Sequence, residues 1–188
     1  NAALRYPAGD RGHFVWDEFC HAIEYLIYAY LQKSDNRAAA AQLKRLRATQ
    51  QLEPSFKTAF HLMSTQARYA LERRAWKEAA VLVPREPSTL DWDRFTWPEA
   101  IIRFARGLGA AHLGNLSDAK AESERLNQLE TTTVQMHEDL FARNIRVLRL
   151  ELNAWIAHVE GHEDDAVSLM HEAAELEEKT PKHPVTPG

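Results

Sequence analysis

The sequence predicts an all-α fold of about four antiparallel helix pairs stacked as a repeat, and three observations predict it. Apolar residues recur at helical spacing: Ile23, Leu26, Ile27, Tyr30 and Leu31 keep the i, i+3, i+4, i+7, i+8 rhythm, and Leu140, Phe141, Ile145, Leu148, Leu152 and Trp155 nearly do. Alternating strand patterns are absent, and glycine occurs only seven times. Polar breaks return at near-constant intervals, each followed by a small residue in the first turn of a second helix. Those residues, Ala39, Ala79, Ala119 and Ala166, are spaced 40, 40 and 47 residues apart. Such a period marks helix pairs that bury their apolar faces only against their neighbours.

In chain order the units fall at about 14–50, 55–84, 96–131 and 132–179, within a single repeat domain covering 1–188. The first breaks at Lys33-Ser34-Asp35-Asn36 and the second at Glu72-Arg73-Arg74. Pro84–Asp93 is the main internal linker. Trp92, Phe95 and Trp97 are expected to tuck back onto the helices rather than form an aromatic ligand patch. Thr96-Trp97-Pro98-Glu99 fits a capping box with proline in the first turn, opening a unit that breaks at Gly114-Asn115-Leu116-Ser117. Thr132-Thr133-Val134-Gln135 predicts a cap for a helix running to about His158 or Val159, roughly 40 Å long at about 1.5 Å per residue. Its break is Gly161-His162-Glu163-Asp164, and residues 180–188 form a Pro-rich tail.

Phe104 to Glu122 resembles a tetratricopeptide motif, with Gly107 at the small position of the first helix, Gly114 at the turn and Ala119 at the small position of the second. Ala154, Gly161 and Ala166 match the same places in the fourth unit, and Ala67 and Ala79 match two of them in the second. Small residues let paired helices cross closely, and glycine ends the first helix at little cost. The first unit departs, with Ile27 and Ser34 at the small and turn positions. The usual motif is about 34 residues long, so periods of 40 and 47 imply lengthened helices or inserted linkers. The whole chain is similar to bacterial tetratricopeptide-repeat proteins of uncharacterised function, through His21–Gln32, Ala67–Arg73 and Glu178–Gly188. The resemblance implies a right-handed helical-repeat solenoid, a TPR-like superhelix, and it implies no reaction.

Composition narrows the function. A formal net charge of −4 provides no global basic field for nucleic acid or an anionic membrane, and no apolar run approaches the roughly 18 residues that span a bilayer. The single cysteine, Cys20, excludes an internal disulfide and a multi-cysteine zinc site, and its apolar helical setting suggests a packed thiol. The chain begins at Asn1 without an initiator methionine, so a fragment of a longer protein is expected, with any targeting signal outside it. Localisation is left open, with the cytoplasm slightly favoured.

In a solenoid of the resembled kind the first helix of each pair lines the groove. Carrying its positions over gives His21, Glu24 and Tyr28; then His61, Ser64, Arg68 and Glu72; then Phe104, Leu108 and His112; and finally Glu151, Trp155 and His158. Aromatic anchors supply buried area, and Arg68 suits a carboxylate or phosphate. The plainer account places Tyr28, Phe104, Leu108 and Trp155 in the core and leaves the histidines hydrogen-bonded or solvated.

No cofactor or metal is expected. Nine histidines raise the question, but His158 and His162 are separated by a glycine turn, and neither HExxH nor a cysteine pair occurs. Gly107-Leu108-Gly109 lies inside a helix, so it is no phosphate loop. Cys20 and His21 face about 100° apart on a helix and make no nucleophile–base pair. Arg143, Arg146 and Arg149 form a ridge read as a solvated face paired with Glu138, Asp139 or Glu151.

The reading is therefore a protein- or peptide-interaction scaffold with an unidentified partner, and no catalytic motif. The alternative is a small-ligand or metal-binding helical sensor or enzyme using the groove histidines and carboxylates. Uncapped repeat ends also lead us to expect a homodimer about as often as a monomer.

Overall fold

The computed structural model describes residues 14–181, and among these the chain is all-α, with eight α-helices and no strand. The Pro-rich residues from Lys182 onward, and those before Phe14, lie outside the described residues. The helices are α1 (Glu18–Gln32), α2 (Asn36–Ala48), α3 (Phe56–Leu71), α4 (Trp76–Ala80), α5 (Thr96–His112), α6 (Leu116–Gln135), α7 (Asp139–Val159) and α8 (Glu163–Lys179). The chain divides into two compact units. One comprises residues up to Ala75 with Leu82–Ile102, and the other Trp76–Val81 with Arg103 onward.

Four turns share one backbone geometry at the breaks the sequence marks. Ser34, Arg74, Gly114 and Gly161 take φ of 58°, 50°, 74° and 82°, just beyond the ends of α1, α3, α5 and α7. At each, the next amide reaches back five residues: Asp35 N to Tyr30 O at 2.8 Å, Ala75 N to Ala70 O, Asn115 N to Ala110 O and His162 N to Ala157 O, all three at 2.9 Å. This Schellman arrangement satisfies carbonyls that the helix end leaves open. Glycine enters it without penalty, whereas Ser34 and Arg74 hold a Cβ against the preceding backbone.

In the first unit α1 packs on α2 and α3. Phe19, Cys20, Ile23, Glu24 and Ile27 are its buried face, at helical spacing. Helix α3 is buried on every side from His61 to Ala67. It therefore carries polar groups inward that need partners. Gln66, for example, accepts from Arg47 Nε at 2.9 Å and donates to Leu62 O at 3.0 Å. Val15 and Leu52 form an isolated parallel bridge beside the start of α1. The linker folds back as expected: Trp92 and Phe95 are buried, Trp92 Nε1 donates to Pro87 O at 2.9 Å, and the Phe95 ring packs edge-on to Phe56. Arg85 in this linker lies 3.6 Å from the carboxylate of Glu99, which is fully buried.

In the second unit α6 packs on α7, and α7 on α8. Gly107 and Gly109 set how closely α5 approaches its neighbours. A Cβ on Gly107 would stand 2.5 Å from Leu152 Cδ2, and one on Gly109 would stand 2.6 Å from the backbone nitrogen of Ala80. The buried Glu122 carboxylate meets Arg106 Nε at 2.6 Å and Arg103 at 3.3 Å.

The structure moves one boundary. Helix α6 continues through Thr132 to Gln135, and α7 begins only at Asp139. The threonines do not cap, because Thr131, Thr132 and Thr133 donate their hydroxyls to the carbonyls four residues back. The chain instead turns at His137, with φ of 59°, where Glu138 N reaches Thr133 O. The arginine ridge also pairs differently. Arg146 meets Glu172 of α8 at 3.0 Å, and Arg149 meets Glu130 of α6 at 2.9 Å, so these charges tie helices together.

Candidate functional site

The seven groove residues expected from the first two repeats come together along α1 and α3. His21 Nδ1 lies 3.1 Å from His61 Nε2, and Ser64 Oγ donates to Glu24 Oε1 at 3.0 Å. The Arg68 guanidinium sits over the Tyr28 ring, 5.3 Å from its centroid, and Gln32 Nε2 donates to Glu72 Oε2 at 3.2 Å. Each of these four pairs joins residues 40 apart. Along α1 the members recur at i, i+3, i+7 and i+11, which is one helical stripe. The two helices therefore run parallel and in register with the sequence repeat.

Glu24 is the centre of this stripe. It is buried with His61 and Ser64. Its Oε2 bonds to His61 Nδ1, its Oε1 accepts from Ser64, and Arg68 Nε is 3.8 Å away. A carboxylate is tolerated in such a place only when donors surround it. Arg68 is shared between two acids, since its Nη1 also meets Glu72 Oε1 at 3.2 Å. Its Nε is buried without a hydrogen-bond partner. That arrangement differs from a free guanidinium waiting for an anion.

Two residues outside the expected set join the stripe. Tyr25 packs its ring edge-on to His21, with centroids 4.8 Å apart, and is 55% exposed. Gln32 holds Glu72. Both stand one helical step from groove positions, Tyr25 at i+4 from His21 and Gln32 at i+4 from Tyr28, and that spacing is the signal that finds them. At the start of α1, Lys57 binds the carboxylates of Glu18 and, at 3.9 Å, Asp17. The Lys57 hydrogen bond, with smaller help from the Lys57 charge, holds the Glu18 carboxyl below its usual range against the opposing effect of desolvation.

In the second unit the expected residues divide. His112 stacks on Trp76 at 3.8 Å and lies 4.3 Å from Trp155, whose other neighbour is His158. His158 in turn bonds to Glu163 at 2.9 Å. Trp76 opens the short α4 and has no periodic signal of its own. Phe104 and Leu108 are half-buried. Glu151 turns toward α8: burial, and secondarily the charge of Glu177, push its carboxyl above the usual range.

The Cys20 thiol is fully buried, and burial, with some effect from Asp17, pushes it up to about 12, so it is a packed group without nucleophilic character at neutral pH. Among the described residues no group of three or more His, Cys, Asp or Glu is placed to hold a metal ion. No described helix is long and apolar enough to cross a membrane. Comparison with protein-family models, curated proteins and solved structures finds no match.

Proposed function

We propose that the helix pairs are tetratricopeptide-like repeats and that the chain is an interaction scaffold, holding a protein or peptide segment against the face shared by α1 and α3. The observation that carries this is the position of Tyr25 and Tyr28. Both are large aromatics left 55% and 43% exposed, directly beside a polar network already fixed by Glu24. Aromatic side chains with few rotamers lose little entropy on binding, and a network held by the fold need not be ordered when the partner arrives. The repeated turn geometry and the close approach at Gly109 support the repeat reading.

A second reading, a small-ligand sensor, is favoured by the Glu24–His61–His21 chain. Two measurements on the whole chain separate them. Selection from a displayed peptide library is expected to yield binders whose affinity falls about tenfold or more in Tyr28→Ala. Native mass spectrometry tests the other side: a bound small mass that is lost in His61→Ala, with no peptide selected, would overturn the scaffold in favour of the sensor.

A further inference from the structure

With His61 neutral, the hydrogen-bond chain into Glu24 sets which nitrogen of His21 is left free to meet a ligand. An ionised carboxylate only accepts, so His61 Nδ1 carries the proton of the Glu24 bond. With both imidazoles neutral, His61 Nε2 is then an acceptor and His21 Nδ1 donates to it. The remaining nitrogen, His21 Nε2, keeps its lone pair. It has no hydrogen-bond partner among the described residues and is not among the buried unpartnered atoms. On the same face of α1, Glu18 stands one turn before His21, and the exposed Tyr25 ring one turn after.

We infer that this end of the α1–α3 face binds a lysine or arginine side chain of the partner segment, which donates to His21 Nε2 and lies against the Tyr25 ring near Glu18. The inference rests on the scaffold reading and names the chemistry of its partner. Charge agrees with it. The groups bridging α1 and α3 include four carboxylates, Asp17, Glu18, Glu24 and Glu72, against two cations, Lys57 and Arg68. An anionic segment would have to compete with Glu24 and Glu72 for Arg68. A cation meets an acceptor nitrogen, a ring face and surplus negative charge. The chain shows the same pairing internally about one turn beyond Tyr25, where Arg68 covers Tyr28.

The test uses the full chain at pH 7.5 and an immobilised positional-scanning library of acetylated, amidated hexapeptides. Lysine or arginine is expected to dominate one position, and that preference to weaken about fivefold to tenfold in Tyr25→Leu and in Glu18→Gln. Hexapeptides that depend on Tyr25 but prefer acidic residues, or show no charge preference, overturn the inference and leave the scaffold standing. Absence of any hexapeptide binding overturns both. Independently of any partner, nitrogen NMR of the imidazoles is expected to show His21 protonated at Nδ1 and bare at Nε2, and the reverse tautomer overturns the inference.

Discussion

His21 Nδ1 and His61 Nε2 lie 3.1 Å apart although 40 residues separate them, and the same offset joins Glu24 to Ser64, Tyr28 to Arg68 and Gln32 to Glu72. Positions 40 residues apart on α1 and α3 therefore touch one another. Because α1 and α3 are parallel, one residue of slip would rotate every member of the stripe by about 100° and break all four pairs together. The Glu24 network thus ties register to polar satisfaction.

Removing the acceptor of that network should be costly. Glu24→Ala leaves His61 and Ser64 buried without their common partner, and Arg68 loses one of its two acids. Urea unfolding followed by circular dichroism should show a loss of about 3 kcal/mol. A loss under 1 kcal/mol would mean that the buried carboxylate is dispensable.

The turn residues make an opposite forecast at two pairs of sites. Arg74→Gly and Ser34→Gly relieve left-handed backbone at φ of 50° and 58° and should each stabilise the chain by about 1 kcal/mol. Gly114→Ala and Gly161→Ala should destabilise it by a similar amount, since open space around both leaves only the backbone strain. Equal midpoints across all four variants would contradict a shared turn geometry.

Gly109→Ala probes a contact with no slack. The new methyl would meet the Ala80 nitrogen at 2.6 Å and the Trp76 carbonyl at 2.8 Å, both backbone atoms. A destabilisation of about 2 kcal/mol is expected, with altered tryptophan fluorescence as Trp76 moves off His112. Unchanged emission and stability would show that α4 can shift freely.

Glu151 supplies a pH dependence. Its folded carboxyl is raised above the ordinary 4.5 by burial first and Glu177 second, so the folded state holds the proton more tightly than the unfolded one. Stability from this group is present below pH 4.5 and is lost as pH rises through the folded value. Glu151→Gln should therefore raise the thermal midpoint at pH 7, with the gain disappearing as pH falls toward 4. A gain independent of pH would point to packing instead.

Much of the helical plan is legible in the residues themselves. The apolar rhythm of Ile23, Ile27 and their neighbours marks α1, and Gly114 and Gly161 mark two turns, because helix periodicity and left-handed backbone are encoded within a few positions. The break at His137 escapes such reading: no glycine announces it, and Thr132 and Thr133, which look like caps, spend their hydroxyls inside α6. The pairing of Trp76 with His112 escapes it as well, since it depends on how closely Gly109 admits α4.

By itself the sequence determined most of the helices, the 40-residue spacing and the residue types that stand along α1 and α3. Only the tertiary structure decided that α1 and α3 pair in register with that spacing. A repeat period states which positions are equivalent, but the axial offset between neighbouring helices follows from side-chain packing and from satisfying Glu24. That offset brings His61 between Glu24 and His21 and leaves Tyr25 and Tyr28 at the surface.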